Sequence, residues 1–337
     1  MTTSRQLVLQ SLEFASPQRV PRQLWILPWA EDHHPEELDR IRQRFPDDMV
    51  GAPGFLAQVP KTSGGAYDIG TYVDEWGCVF ENLQRGVIGQ VKEPLIKEWS
   101  DLEKLHPPAE CLTVNVEQVN AFCRSTDKFV IGGCCPRPFE RLQFIRRSDQ
   151  LYIDLAEKPS ELFVLLDLIH QFYVKELEVW ARTEVDALSF MDDWGSQRSL
   201  LISPRQWRQI FKPLYQEYID ITHAHGKKAF MHSDGYTAAI LPDLIEIGLD
   251  AINTQIFTMD IEELGRQFAG KITFWGELDR QWLLPHGTKD EVAAAVQRVY
   301  DAFWKNGGAI AQCEFGAGGK PENVWQMFET WEKLTTA

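Results

Sequence analysis

DALSFMDD (186–193), KKAFMHSDG (227–235), DAINTQ (250–255), KITFWGELD (271–279) and GAIAQCE (308–314) are five short apolar runs, each followed by an amphipathic stretch. The runs are continuously apolar rather than alternating, as in strands covered on both faces, so they predict a parallel sheet built from βα units. Helices are expected from Pro204 to about His225, from about Ala238 to Ile247, over Ile261 to Phe268, over Lys289 to about Trp304, and onward from Pro321. Upstream, QLWIL (23–27), a short run near Met49 and KFVIGG (128–133) supply three further strands. Eight strands with intervening helices predict an α/β fold, the (β/α)8 TIM barrel, as one barrel domain over residues 1–337. Residues 66–96 alternate between apolar and polar with glycine turns and predict a β-hairpin insertion near the barrel mouth. Residues 159–182 carry apolar side chains at three- and four-residue spacing, the pattern of a core-facing helix in which His170 is structural.

Composition narrows the function classes. The chain is 44% hydrophobic and 25% charged, with 34 Lys and Arg against 49 Asp and Glu, a formal charge of −15 that would repel phosphate backbones and anionic lipid. A nucleic-acid partner is therefore not expected. No run reaches the roughly 20 apolar residues of a membrane span, and the opening MTTSRQLVLQSLEF is helical in pattern rather than a signal peptide, so a cytoplasmic location is expected. Six cysteines without a CxxC pair predict thiols, with Cys134 and Cys135 in packing roles.

In a barrel of this kind the C-terminal ends of the strands converge on one mouth, so the chemistry is sought there. Those ends carry Asp192 and Asp193, then His232, Ser233 and Asp234, then Asn253 and Gln255, then Glu277 and Asp279, then Cys313 and Glu314. Such groups are costly to bury unless partners or a metal balance them. His232 and Asp234 stand two residues apart and project to one side of a strand; with Cys313 as thiolate they would form a three-ligand zinc site with an open fourth position. Asp234 before Gly235 also fits a turn in which the carboxylate caps backbone amides. Asp192 and Asp193 are candidate catalytic carboxylates, of which one is expected to face the mouth, and Glu277 is a candidate base, acid or metal ligand. Trp25, Trp29, Trp76, Trp194 and Trp275 fall near strand ends, where they serve packing or the wall of a pocket. The glycine-rich turn at Gly316, Gly318 and Gly319 before Lys320 reads as a lid or turn.

The order of these segments carries a resemblance. RVPRQLWIL (19–27), VDEWGCVF (73–80), MDDWG (191–195), LISPRQWRQIFKPLY (201–215), FMHSDGY (230–236), DAINTQ (250–255), FWGELDRQ (274–281) and IAQCEFGAGGKPENV (310–324) together resemble the uroporphyrinogen decarboxylase superfamily. That superfamily of barrels includes true decarboxylases and zinc-dependent methyltransferases acting on methylcobamides and thiols. Decarboxylases of this kind carry two arginines after the first strand to hold the substrate's carboxylates; Leu27 and Glu31 stand here instead. The methyltransferase branch binds zinc through an H-x-C pair and a distant cysteine. The resemblance places His232 and Cys313 at two of those positions and Asp234 at the third, with Glu277 or Gln255 as further ligands. It implies an enzyme moving a methyl group between a corrinoid or methylated donor and a small-molecule acceptor. A corrinoid protein and a second copy of the chain are its implied partners. Decarboxylation of a porphyrinogen or smaller carboxylate is the alternative reaction, and a barrel that only binds ligand is the alternative class.

Overall fold

The apolar runs become the staves of a barrel in the computed structural model, which describes residues 2–336. In chain order the strands are β1 (Arg22–Ile26), β2 (Met49–Gly51), β3 (Gly70–Val73), β4 (Val79–Asn82), β5 (Gln90–Val91), β6 (Phe129–Ile131), β7 (Ala187–Met191), β8 (Lys228–Ser233), β9 (Ala251–Thr254), β10 (Thr273–Trp275) and β11 (Ala309–Phe315). Eight of them form one sheet in the order β1-β11-β10-β9-β8-β7-β6-β2, and every strand pairing within it is parallel. β3, β4 and β5 form a separate antiparallel sheet, so the expected hairpin insertion is present with a third short strand.

The seam between β1 and β2 closes through two consecutive aspartates instead of a regular ladder. The Asp48 amide donates to the Arg22 carbonyl at 2.9 Å, while its carboxylate accepts from the Arg22 amide, also at 2.9 Å, and from Arg19. Asp47 accepts from the Leu24 amide at 2.8 Å.

Two concentric layers of side chains pack the fold. Met49, Phe129, Phe230, Trp275 and Ile310 point into the barrel, where Val8 and Leu12 join them from the helix Ser4–Leu12. That helix covers the end of the barrel where strands begin: Arg5 bonds the Asp127 carbonyl and pairs with Asp186 at 3.0 Å. The second, larger layer lies between the strands and the surrounding helices. With the strand starts covered, the open end is the one where the polar strand-end residues gather.

Helix positions follow the expectations with two differences. The helix expected from Pro204 to His225 is two, Pro204–Ile210 and Lys212–Ala224, because Pro213 has no amide to continue the ladder and restarts the helix from its first turn. The next begins only at Leu241, with Pro242 in its first turn. Ser203 caps its helix by accepting from Gln206, and Ser160–Ala181 forms the expected buried helix, with His170 bonded to Tyr218 and Glu217. Among the described residues no helix is long and apolar enough to cross a membrane, and all six cysteines are free thiols.

Candidate active site

Parallel pairing sets His232 of β8 directly beside Asn253 of β9. The Asn253 amide donates to the Trp275 carbonyl and, at 3.0 Å, to Oε1 of Gln312, which leaves its Oδ1 to face the imidazole. Oδ1 only accepts, so His232 Nδ1 carries the proton of this 2.7 Å bond and Nε2 faces the mouth. Trp25 packs its edge against the ring at 5.3 Å and completes the restraint.

Nε2 lies 3.7 Å from Oδ1 of Asp193 and 3.6 Å from Oδ1 of Asp234. One ligand atom from each of these three residues falls within 4.8 Å of the others. Asp193 is held there by accepting from the Asp234 amide at 2.9 Å. Asp234 does not cap the turn: its Oδ2 pairs with Arg280, while its Oδ1 is buried without a hydrogen-bond partner among the described residues. An orphaned, buried carboxylate oxygen facing a histidine ring nitrogen and a second carboxylate suits a divalent cation. The separations of 3.6 and 3.7 Å approach the roughly 3.4 Å edge of a tetrahedron with bonds of about 2.1 Å.

Three of the residues expected at the site lie elsewhere or act otherwise. Cys313 does not join His232. Its neighbours Gln312 and Glu314 turn inward to Asn253 and Arg280, so strand alternation sends the thiol outward into the layer under the helices. Burial there pushes the thiol well above its ordinary value, disfavouring a thiolate. Asp192 also faces away from the mouth. Fully buried, it accepts from the Phe139 amide at 3.0 Å, the Glu140 amide at 2.7 Å and the Tyr215 hydroxyl, capping the helix Pro138–Arg146. Asp192→Ala is expected to cost about 2–4 kcal/mol, the loss of a cap plus an orphaned buried hydroxyl, without changing metal content. Chemical denaturation beside elemental analysis checks both halves. Gln255 accepts from the Gly235 amide at 3.0 Å and is engaged in the turn.

Glu277 is at the site but not among the three clustered atoms. It is 2% exposed, neither oxygen has a hydrogen bond among the described residues, and Arg280 Nε lies 3.2 Å away without the alignment of one. Burial pushes its carboxyl up to about 8. The unfolded chain gives up this proton near 4.5 and the native chain near 8. The folded state therefore holds more protons across that interval, and stability falls as pH rises through it. Glu277→Gln is expected to flatten this fall, read as a smaller loss of melting temperature from about pH 5 to pH 8 than in the parent.

Sequence reasoning missed Arg280, which pairs with Asp234, Glu277 and Glu314, the last at 2.9 Å. Its one signal in the sequence was a cation three residues beyond Glu277, in the loop after a strand end that is otherwise acidic. Glu140 was also missed. Its carboxyl is pushed up to about 7, by burial first and then by Asp193.

The uroporphyrinogen decarboxylase (URO-D) family model matches residues 65–334. Among solved structures, a methyltransferase from Methanosarcina mazei aligns with a TM-score of 0.70 at 16% identity, covering 99% of each chain, a likeness of fold. The 3-keto-D-glucoside 4-epimerase YcjR from E. coli aligns over 65% of this chain and 84% of its own at 13% identity and a TM-score of 0.39, too little to bear on the site. No curated protein sequence matches the chain. With the family model matched across most of its length, the chain belongs to the uroporphyrinogen decarboxylase family.

Proposed function

We propose that the protein is a metal-dependent methyltransferase, moving a methyl group between a methylated donor or corrinoid and a small-molecule acceptor at the barrel mouth. The observation that carries this reading is His232 Nε2, fixed by Asn253 and turned toward Asp193 and the orphaned Asp234 oxygen. Those three side chains would hold the ion, zinc or another divalent metal that accepts a nitrogen and two carboxylate oxygens. Such an ion supplies Lewis-acid activation of the acceptor, favouring its deprotonated form.

The chain's own residues then divide the proton handling. Asp193, 41% exposed at the side chain, stands where an entering acceptor can hand over its proton. Burial favours the protonated form of Glu277, which can give its proton to the leaving group of a donor that releases the methyl from oxygen or nitrogen. Decarboxylation of a porphyrinogen lacks its cationic clamp. Leu27 and Glu31 sit at the start of the helix Pro28–His33, and Glu31 turns outward to pair with Arg42 at 3.3 Å.

The test supplies zinc-loaded protein with methylcobalamin and a panel of thiols and follows loss of the methyl–cobalt absorbance alongside methylated product. Turnover that needs both metal and His232 supports the reading. Carbon dioxide release from a carboxylate substrate without methyl transfer would replace it with the decarboxylase.

A further inference from the structure

A second cavity, of about 350 Å³, lies over the C-terminal end of β6, between the hairpin insertion and the helix Ser160–Ala181. Two arginines line it, and they differ. Arg141 is spent on structure: it pairs with Asp74, with Glu75 at 3.0 Å, and lies 4.9 Å over the Trp76 ring, tying the hairpin to the helix beneath. Arg137 has no comparable partner. Its nearest carboxylate, on Glu140, is 3.9 Å away, and its Nε reaches the Cys135 carbonyl only at 3.5 Å. Among the described residues the cavity thus presents one guanidinium without a close ion pair, an arrangement that suits an anion with a planar, two-oxygen head.

The walls specify the rest of the ligand. Trp76 and Phe172 meet edge to face at 5.0 Å, and Tyr173 continues the cluster at 5.6 Å from Phe172. Such surfaces favour an aromatic ring over a flexible chain. On the same helix, Glu176 borders the cavity, and burial pushes its carboxyl up to about 8, which favours its protonated form. The volume is at the small end for ligand sites, which run from roughly 300 to 1,000 Å³, and suits one ring rather than a tetrapyrrole.

We infer that this cavity binds a single-ring aromatic carboxylate, with its carboxylate on Arg137 and its ring against Trp76 and Phe172. Assigning that ligand the role of methyl donor or acceptor rests on the function proposed above; its binding does not.

The experiment is titration calorimetry of the full chain with benzoate and with benzamide, repeated after chelation, on His232→Ala, and on Arg137→Gln and Arg137→Lys. Benzoate is expected to bind at least tenfold more tightly than benzamide, because only the ionised head completes Arg137. Arg137→Gln is expected to lose at least tenfold and Arg137→Lys to retain part of the affinity. Chelation and His232→Ala are expected to leave benzoate binding in place, so a failure of the metal centre and a failure of this site are told apart. Equal affinity for benzoate and benzamide, undiminished binding in a folded Arg137→Gln, or no saturable benzoate binding up to about 10 mM would overturn the inference. Should Arg137→Gln not fold, the benzoate and benzamide comparison on the parent protein decides.

Discussion

His232→Ala is expected to abolish the proposed divalent-metal binding and methyl transfer while leaving the fold intact. The imidazole contributes the one nitrogen of the three-residue cluster, and its removal leaves two carboxylates of which one is already shared with Arg280. Losing an outer-shell partner of a metal ligand costs about 10–100-fold in affinity or activity, so losing the ligand itself is expected to exceed that range. Asn253 supplies the graded comparison. Asn253→Ala removes the 2.7 Å bond that fixes Nδ1–H and should fall within that 10–100-fold range. Metal titration of the two variants checks the order. Equal losses would mean that the asparagine does more than orient the ring.

The second large effect is on stability. Arg280→Gln leaves Asp234, Glu277 and Glu314 facing one another at the mouth without their shared cation. Removing one partner of a buried ionic group costs about 3–5 kcal/mol, and that loss is expected in urea denaturation of the metal-free variant. Added divalent cation should recover part of it, because an ion between Asp193, His232 and Asp234 replaces some of the missing positive charge. The parent protein, with Arg280 in place, should gain less from the same ion. Arg280 and the metal are then two counter-charges to one carboxylate, Asp234, each engaging a different oxygen.

The barrel was legible because its evidence in the chain is periodic. Continuous apolar runs separated by helical stretches report a parallel sheet covered on both faces, and all five runs of the second half became strands. The three-residue strand Met49–Gly51 is where a short run near Met49 suggested it, held by parallel pairing with β6 on one side and by Asp47 and Asp48 on the other. The site was half legible. His232, Asp234 and Asp193, singled out from their positions at strand ends, do come together, but Cys313 and Asp192 occupy the same kind of position and face the other way. The difference is one residue of register, because a strand alternates faces, and a short apolar run does not show on which residue it ends. Arg280 lay beyond the reach of strand-end reasoning, since its side chain returns to the mouth from the loop after β10. Arg137 and Glu176 come together only in the fold, from the loop after β6 and from a helix some forty residues on.

The central claim is that the metal is held by Asp193, His232 and Asp234 and not by Cys313. Elemental analysis of protein purified without chelator, set beside Asp193→Ala and Cys313→Ala, tests it most directly. The structure predicts close to one divalent ion per chain in the parent and in Cys313→Ala, and little in Asp193→Ala. Metal lost from Cys313→Ala but retained by Asp193→Ala, or a metal-free parent that takes up no ion when zinc is supplied, would contradict it.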